Sequence, residues 1–376
     1  MPGVRVALVH AFSWPEVRRG AERLVAEMAK GLAAAGHDVS VLTSAFDAGT
    51  TTEDGVRWVR LRRRHEDVAR AEADFGRRVL GPLLRERYDV VHTHGRRDGV
   101  ASVRAARLRP GRATVHTDIG IPDRAWWDTQ GKEHRWVQRV IREVDSYCCM
   151  SRYSLGLLAR DYGRAGDLLP GGVDAQRFRP EPVRAAVPTI LYSGTLAEPR
   201  KGVPSLVAAL PAILESEPDA RLALSGPGDA EPLLAAAAPD VRDHIDVLGV
   251  GTLDDQPHRY ASAWASALPS HNDTFGLVLV EALASGTPIV AADNAALPEL
   301  VDPGSTGALC TFDDVPSVAR ACIEALRLGR DPATAERCRA SALGYDWATA
   351  VVPRCVEVYE AARERAALRG RVTGRG

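Results

Sequence analysis

The sequence predicts an α/β protein made of two successive doubly wound units, each a mostly parallel sheet with helices on both faces. Three observations predict it. Short runs of β-branched and apolar residues alternate with longer segments of helical periodicity, the order that gives parallel strands joined by crossover helices. The alternation stops at a proline-bearing stretch, Arg179–Pro188, which reads as a linker, and then starts again. The chain has 376 residues, enough for two domains of ordinary size.

Val4–Val9 reads as the first strand. Glu22–Ala35 follows as a helix, because Leu24, Val25, Met28 and Leu32 recur at helical spacing and Gly36 stands where a C-terminal cap belongs. Val39–Thr43 closes the first β-α-β unit, and Val90–Thr93, Ala113–His116 and Tyr147–Met150 continue its sheet. After the break, strands Thr189–Ser193, Arg221–Ser225, Ile245–Leu248, Ala263–Ala267 and Pro288–Ala291 are interleaved with helices Pro204–Glu215, Leu277–Ala284 and Val315–Leu328. Ligands of such sheets bind beyond the carboxyl ends of the strands, so the expected site is a cleft between the units.

Composition excludes several classes. The chain is 45% hydrophobic and 26% charged, which rules out disorder over its length. A net charge of −1 argues against a nucleic-acid coat protein. No apolar run approaches the ~18–20 residues of a membrane span. The N-terminus lacks a basic region ahead of its apolar stretch, so it reads as a strand and not a signal peptide, and a cytoplasmic protein is expected. The six cysteines (148, 149, 310, 322, 338 and 355) form no C-x-x-C pair and read as reduced thiols. The basic run Arg60–Arg64 reads as a solvated strand end. Together with a mixed helix from Val68 to Arg87, it also reads as transient contact with an anionic lipid surface at the inner face of a membrane. Phe75, Val79, Leu80, Leu83 and Leu84 of that helix equally suit core packing.

The chemistry concentrates in Pro269–Ala292. A strand ends near Leu268, a polar loop follows, and Gly276 opens a helix whose free amides and dipole suit a phosphate. Asp273 precedes that helix and Glu281 lies about one turn inside it. Carboxylates there suit sugar and ribose hydroxyls; the blander reading makes Asp273 a helix cap and Glu281 a surface or salt-bridged residue. Ser225–Leu234 is a strand-turn-helix with Gly226 and Gly228, but Ala230 and Glu231 follow where a dinucleotide fingerprint needs its third glycine. His10, His92, His94 and His116 fall at or near strand ends, as polar lining or, less simply, as metal ligands. Trp126 and Trp127 either stack on an acceptor ring or plug an apolar surface.

Asp273 and Glu281, with Phe275-Gly276 between them, resemble the signature of the retaining GT-B glycosyltransferases of glycosyltransferase family 4. The family usually has Glu at the first position. Gly20–Thr43, Tyr88–Gly95, Thr114–Gly120, Leu169–Pro180 and Asp346–Tyr359 resemble its other motifs in the expected order. Arg19-Gly20 stands for its glycine pair, and Gly171 for its common Asn. Tyr192–Leu206 resembles its phosphate clamp, with Gly194 and Lys201-Gly202 matching and Thr195 in place of the usual Arg. Within the family, the EPRKG loop and the Asp346-Trp347 pair most resemble actinobacterial phosphatidylinositol mannosyltransferases.

The resemblance implies two Rossmann-like domains, residues 1–180 on the acceptor side and 181–352 on the donor side, with 353–376 as a helix returning to the first domain and a tail. It implies a retaining transferase moving a hexosyl unit from a UDP- or GDP-sugar to a small-molecule, lipid or glycan hydroxyl, with no cofactor, metal or nucleic acid. Lys201, Arg200 and the helix start at Gly276 would hold the diphosphate, facing the backbone of Gly20; Glu281 would hold the ribose; His116 and Asp273 would position the sugar. Gly194, Thr195, Gly226, Thr274, Phe275 and Leu277 would complete the donor site, and Val247–Asp255, with Leu248, would read the base. Competing readings are a nucleotide-sugar epimerase or hydrolase on the same fold, and a non-catalytic sugar-nucleotide-binding protein.

Overall fold

The computed structural model describes residues 3–252 and 254–373, with side chains through Arg369. Leu253 of the expected base-reading loop and the last three residues of the expected tail lie outside the described residues. The chain divides into two units, residues 1–172 with 347–376, and residues 173–346.

The first unit carries eight strands: β1 (Arg5–Val9), β2 (Asp38–Ala45), β3 (Gly49–Glu53), β4 (Val56–Arg62), β5 (Val90–Thr93), β6 (Ala113–Asp118), β7 (Ser146–Cys149) and β8 (Asp167–Leu168). They lie in the order β3-β4-β2-β1-β5-β6-β7-β8, and only the β3–β4 pair is antiparallel. The hairpin escapes a reading by periodicity because GTTTE is polar throughout and fully exposed. The expected helix Val68–Arg87 is two helices, Val68–Arg78 and Leu80–Arg85. Pro82 lacks the N–H that would have continued the ladder. Phe75, Val79 and Leu83 are buried with Val9, Leu42 and Val91, so the core takes the apolar residues that a lipid contact would have used. Arg63 also leaves the basic surface: its guanidinium lies 4.9 Å from the rings of both Phe12 and Phe46 and donates to the Ser44 carbonyl. Arg62 and Arg64 remain exposed.

The C-terminal helix Val352–Thr373 packs in this first unit. Tyr359 is fully buried, and its hydroxyl lies 2.9 Å from His92 Nδ1. Arg365 donates to Ser146 Oγ, and Arg369 pairs with Asp145 at 2.7 Å. Among the described residues no helix is long and apolar enough to cross a membrane.

The second unit carries β9 (Thr189–Ser193), β10 (Arg221–Ser225), β11 (Ile245–Gly249), β12 (Ala265–Leu268), β13 (Ile289–Ala292) and β14 (Gly307–Cys310). All are parallel, in the order β11-β10-β9-β12-β13-β14. Strand order therefore reverses between β9 and β12, the position where open α/β sheets bind ligands. The helix Leu277–Ala284 spans the expected residues.

The unit boundaries fall at 172/173 and 346/347, ahead of the expected 180/181 and 352/353. Hydrogen bonding explains the shift. Val173 N donates to Tyr345 O and Ala175 N to Asp346 Oδ1, while Arg339 donates to the carbonyls of Ala175, Phe178 and Ala284. Arg179–Pro188 is not a free linker either. Ala185 N donates to Ser262 O, Trp264 Nε1 donates to Ala185 O, and Arg184 donates to Gly286 O.

Arg339 thus ties three carbonyls together. Arg339→Met should lower stability by about 3 kcal/mol, because buried carbonyls lose a charged donor. Urea denaturation measures this, and a loss below about 1 kcal/mol would mean that the carbonyls find other donors.

Candidate functional site

In the second unit, the loops that follow β9 and β12 meet at the reversal point. The first ends in a short helical turn, Pro199–Lys201, that presents two cations. Lys201 Nζ donates to Asp273 at 2.9 Å to Oδ2 and 3.2 Å to Oδ1. Arg200 Nη1 lies 3.9 Å from Asp273 Oδ2, and its Nε donates to Glu198. The two neighbours therefore converge on one carboxylate. Arg200's carbonyl accepts from His271 N at 2.7 Å and Ser270 Oγ at 3.1 Å, stitching the loops together. The cluster holds two cations and two carboxylates, so it is formally neutral and not the cationic clamp that sequence alone suggests.

The helix Leu277–Ala284 begins just beyond. Asp273 does not cap it: the N-cap is Gly276, at φ +90°, with no side-chain cap bond. Gly276 is required here by its own conformation and by packing, since a Cβ would meet Leu297 Cδ2 at 2.8 Å. Phe275 is buried with its ring 5.5 Å from that of Tyr345, a packing role. Thr274 and Leu277 are half-buried. Glu281 is 1% exposed, which removes the surface reading. Tyr192 OH donates to the carbonyl of half-buried Thr195 at 2.8 Å, shaping the turn after β9. Gly194 N bonds Ser225 O, and a Cβ on Gly226 would lie 1.8 Å from Gly194 O. Gly226 is thus demanded by backbone contact between the two turns. Leu248 is 39% exposed on the edge strand.

In the first unit, Gly20 is the exposed first residue of the helix Gly20–Ala34, with open space where a side chain would be. Beneath that helix start, His10 Nε2 lies 3.3 Å from Glu22 Oε1, and Arg19 Nε donates to the same oxygen at 3.2 Å. Burial alone would raise the Glu22 pKa, but the hydrogen bonds from His10 and Arg19 outweigh it and lower the carboxyl to about 2. His94 stacks on His92, with centroids 4.5 Å apart, and Asp98 accepts from the backbone N–H groups of His94 and Gly95. Burial pushes Asp98 up to about 7 and holds His92 at about 3. His116 lies within β6 on the opposite face from His92, its Nδ1 2.9 Å from Thr93 Oγ1. Burial pushes it down to about 3, which leaves a neutral imidazole. Among the described residues no group of three or more His, Cys, Asp or Glu is placed to hold a metal ion. The two tryptophans differ in burial. Trp127 packs against the Val137–Val140 cluster, and Trp126 is 52% exposed.

A family model described as glycosyltransferase family 4 matches residues 18–177, and one described as glycosyl transferases group 1 matches residues 187–327. The phosphatidyl-myo-inositol mannosyltransferase of Mycolicibacterium smegmatis is 30% identical over 377 residues, covering 95% of this chain and 94% of that protein. The chain belongs to glycosyltransferase family 4. The glycogen synthase of Mycobacterium tuberculosis is 31% identical to this glycosyltransferase over 93% of the chain and 94% of its own length. Among solved structures, HepE of Anabaena in complex with UDP and glucose has a TM-score of 0.76 at 18% identity, covering 95% of this chain and all of that one, and shows the GT-B fold.

Sequence reading of this glycosyltransferase missed the Arg19–Glu22–His10 group. The signal for it was present: an acid in the first turn of a helix, three residues after an arginine. A carboxyl lowered from 4.5 to about 2 on folding contributes stability present above pH 4.5 and lost as pH falls toward 2. Wild type should therefore exceed Glu22→Gln by on the order of 3 kcal/mol at pH 7, a gap that closes on acidification. Urea titrations between pH 7 and 3 test this; a gap independent of pH would show that the charge of Glu22 is not what is held.

Proposed function

We propose that this glycosyltransferase moves a hexosyl unit from a UDP- or GDP-sugar to an acceptor hydroxyl, with retention at the anomeric carbon and no resident metal or cofactor. The observation that carries the reading is the meeting of Lys201, Arg200 and Asp273 at the strand-order reversal, beside the start of the helix Leu277–Ala284. As the glycosidic bond breaks, the leaving diphosphate gains charge. Lys201 and Arg200 offer cations there, and the helix start offers backbone amides. Asp273 then exchanges its lysine for a sugar hydroxyl. Buried Glu281 takes the ribose, and neutral His116 donates to or accepts from the sugar without adding charge. The acceptor attacks on the face from which the leaving group departs, and its proton passes to a phosphate oxygen, so no protein nucleophile is used.

The acceptor is a lipid head group or a glycan, the two kinds of molecule that the names of the relatives contain. Lipid contact would be electrostatic, through exposed Arg62 and Arg64 at the inner face of a membrane. A panel of UDP-, GDP- and dTDP-sugars in thermal-shift assays, followed by mass spectrometry and NMR of the product anomer, tests the reading. Consumption of donor without acceptor would mark a hydrolase, and an inverted product would remove retention. EDTA should leave the rate unchanged.

Lys201→Ala should lower kcat/KM by about 100-fold or more, the size of losing a donor to developing charge. Glu281→Gln should weaken nucleotide binding about tenfold, as loss of a charged hydrogen bond does, with a smaller change in kcat. Unchanged kinetics in either variant would remove that residue from its role.

A further inference from the structure

We propose that Arg259 is a positioning residue for the donor's nucleobase: its guanidinium holds the turn after β11 as the shelf on which the base lies. The inference rests on the nucleotide-sugar reading and on the base-reading loop that the family resemblance implies, and adds the residue that holds that loop in place.

β11 is the edge strand of its sheet, and its carboxyl end is unusually apolar for a surface. Val247, Leu248 and Val250 are 47%, 39% and 40% exposed, and among the described residues of this unit the other exposed valine and leucine, Val183 and Leu343, lie far from them in sequence. Exposed apolar residues beyond the strand ends of an open sheet suit a flat heterocycle, which is apolar on its faces and polar at its edge. Edge recognition requires the backbone of such a turn to stay in place, and the helix Asp255–Ser262 does this at successive points. Asp255 accepts from Thr252 N at 2.6 Å, and Gln256 Nε2 donates to Val250 O at 3.2 Å. Arg259 contributes most. Its Nη1 donates to Gly249 O at 3.0 Å and to Ser225 Oγ at 2.7 Å, and its Nη2 donates to Leu248 O at 3.2 Å. One planar guanidinium therefore joins two consecutive carbonyls of the turn to the end of β10, a geometry that the single ammonium of lysine cannot reproduce in full.

Gly251 completes the fit. It adopts φ +64°, and a Cβ there would lie 2.5 Å from Arg259 Nη2, so the guanidinium occupies the volume that any side chain would need. Ser225 immediately precedes Gly226, whose backbone contacts Gly194. Arg259 thus fixes the base shelf relative to the turns that lead to the phosphate cluster.

The test uses isothermal titration of the full chain with UDP, GDP, ADP and inorganic pyrophosphate, on wild type, Arg259→Met, Arg259→Lys and Gly251→Ala. Arg259→Met should weaken the preferred nucleotide about tenfold and narrow the spread among the three bases. Pyrophosphate affinity should stay within twofold, because pyrophosphate would use Lys201 and the helix start at Gly276 and not the turn after β11. Arg259→Lys should recover part of the loss. Gly251→Ala, which leaves the arginine in place but takes its volume, should repeat the methionine result. Equal losses for nucleotides and pyrophosphate would show a general structural role and overturn the inference. Unchanged nucleotide binding in Arg259→Met and Gly251→Ala would overturn it as well. Absence of any nucleotide binding by wild type would instead overturn the donor reading, and this inference with it.

Discussion

The reversal of strand order between β9 and β12 is the constraint from which the candidate donor site follows. Parallel strands deliver all their connecting turns to the same end of the sheet. Where neighbouring strands lead their helices to opposite faces, two turns part and leave a crevice between them. Here those turns are Gly194–Lys201 and Pro269–Gly276. The Arg200 carbonyl, accepting twice from the second turn, sets their separation. The meeting of the cations, the carboxylate and the helix start is a consequence of backbone topology before it is a consequence of side-chain choice.

The two units treat charge in opposite ways. In the second, Lys201 and Asp273 are each about 15% exposed, so water and a ligand can compete for them. In the first, Glu22 has no exposed side-chain surface, and its charge survives only because His10 and Arg19 supply donors. Asp98 accepts from backbone amides and has no side-chain donor as close as those of Glu22, and burial outweighs both these amides and nearby His10, pushing it up to about 7. A carboxylate inside a protein keeps its charge in proportion to the donors around it, and these two residues, each in the first turn of a helix of the first unit, illustrate the two outcomes.

Strand and helix alternation was legible because buried parallel strands and amphipathic helices have distinct periods, although the strand Gly307–Cys310 and the helices Asp255–Ser262 and Pro332–Leu343 of the second unit were not read. The edge strand Gly49–Glu53 was not legible, because a polar, exposed strand leaves no periodic trace. The unit boundaries were misplaced because proline content marks irregular backbone and not freedom: Arg179–Pro188 is irregular and still hydrogen-bonded to its neighbours. The acidic pair and Lys201 were legible through motif spacing. Their pairing was not, since residues 72 apart in sequence carry no mark of contact. Gly226 and Gly276 were correctly singled out for their type, but the volumes that exclude a side chain there belong to Gly194 O and Leu297, within the fold.

The electroneutrality of the cluster of Glu198, Arg200, Lys201 and Asp273 bears on how an anion would arrive. Two cations held against two carboxylates project little field past the first layer of water, and salt at physiological strength screens what is left within about 8 Å. Such a cluster does not gather anions from solution in the way a bare basic groove does. Encounter would proceed at the pace of ordinary diffusion, and discrimination would fall after contact, when a bound group either displaces the Asp273 carboxylate from Lys201 or leaves again.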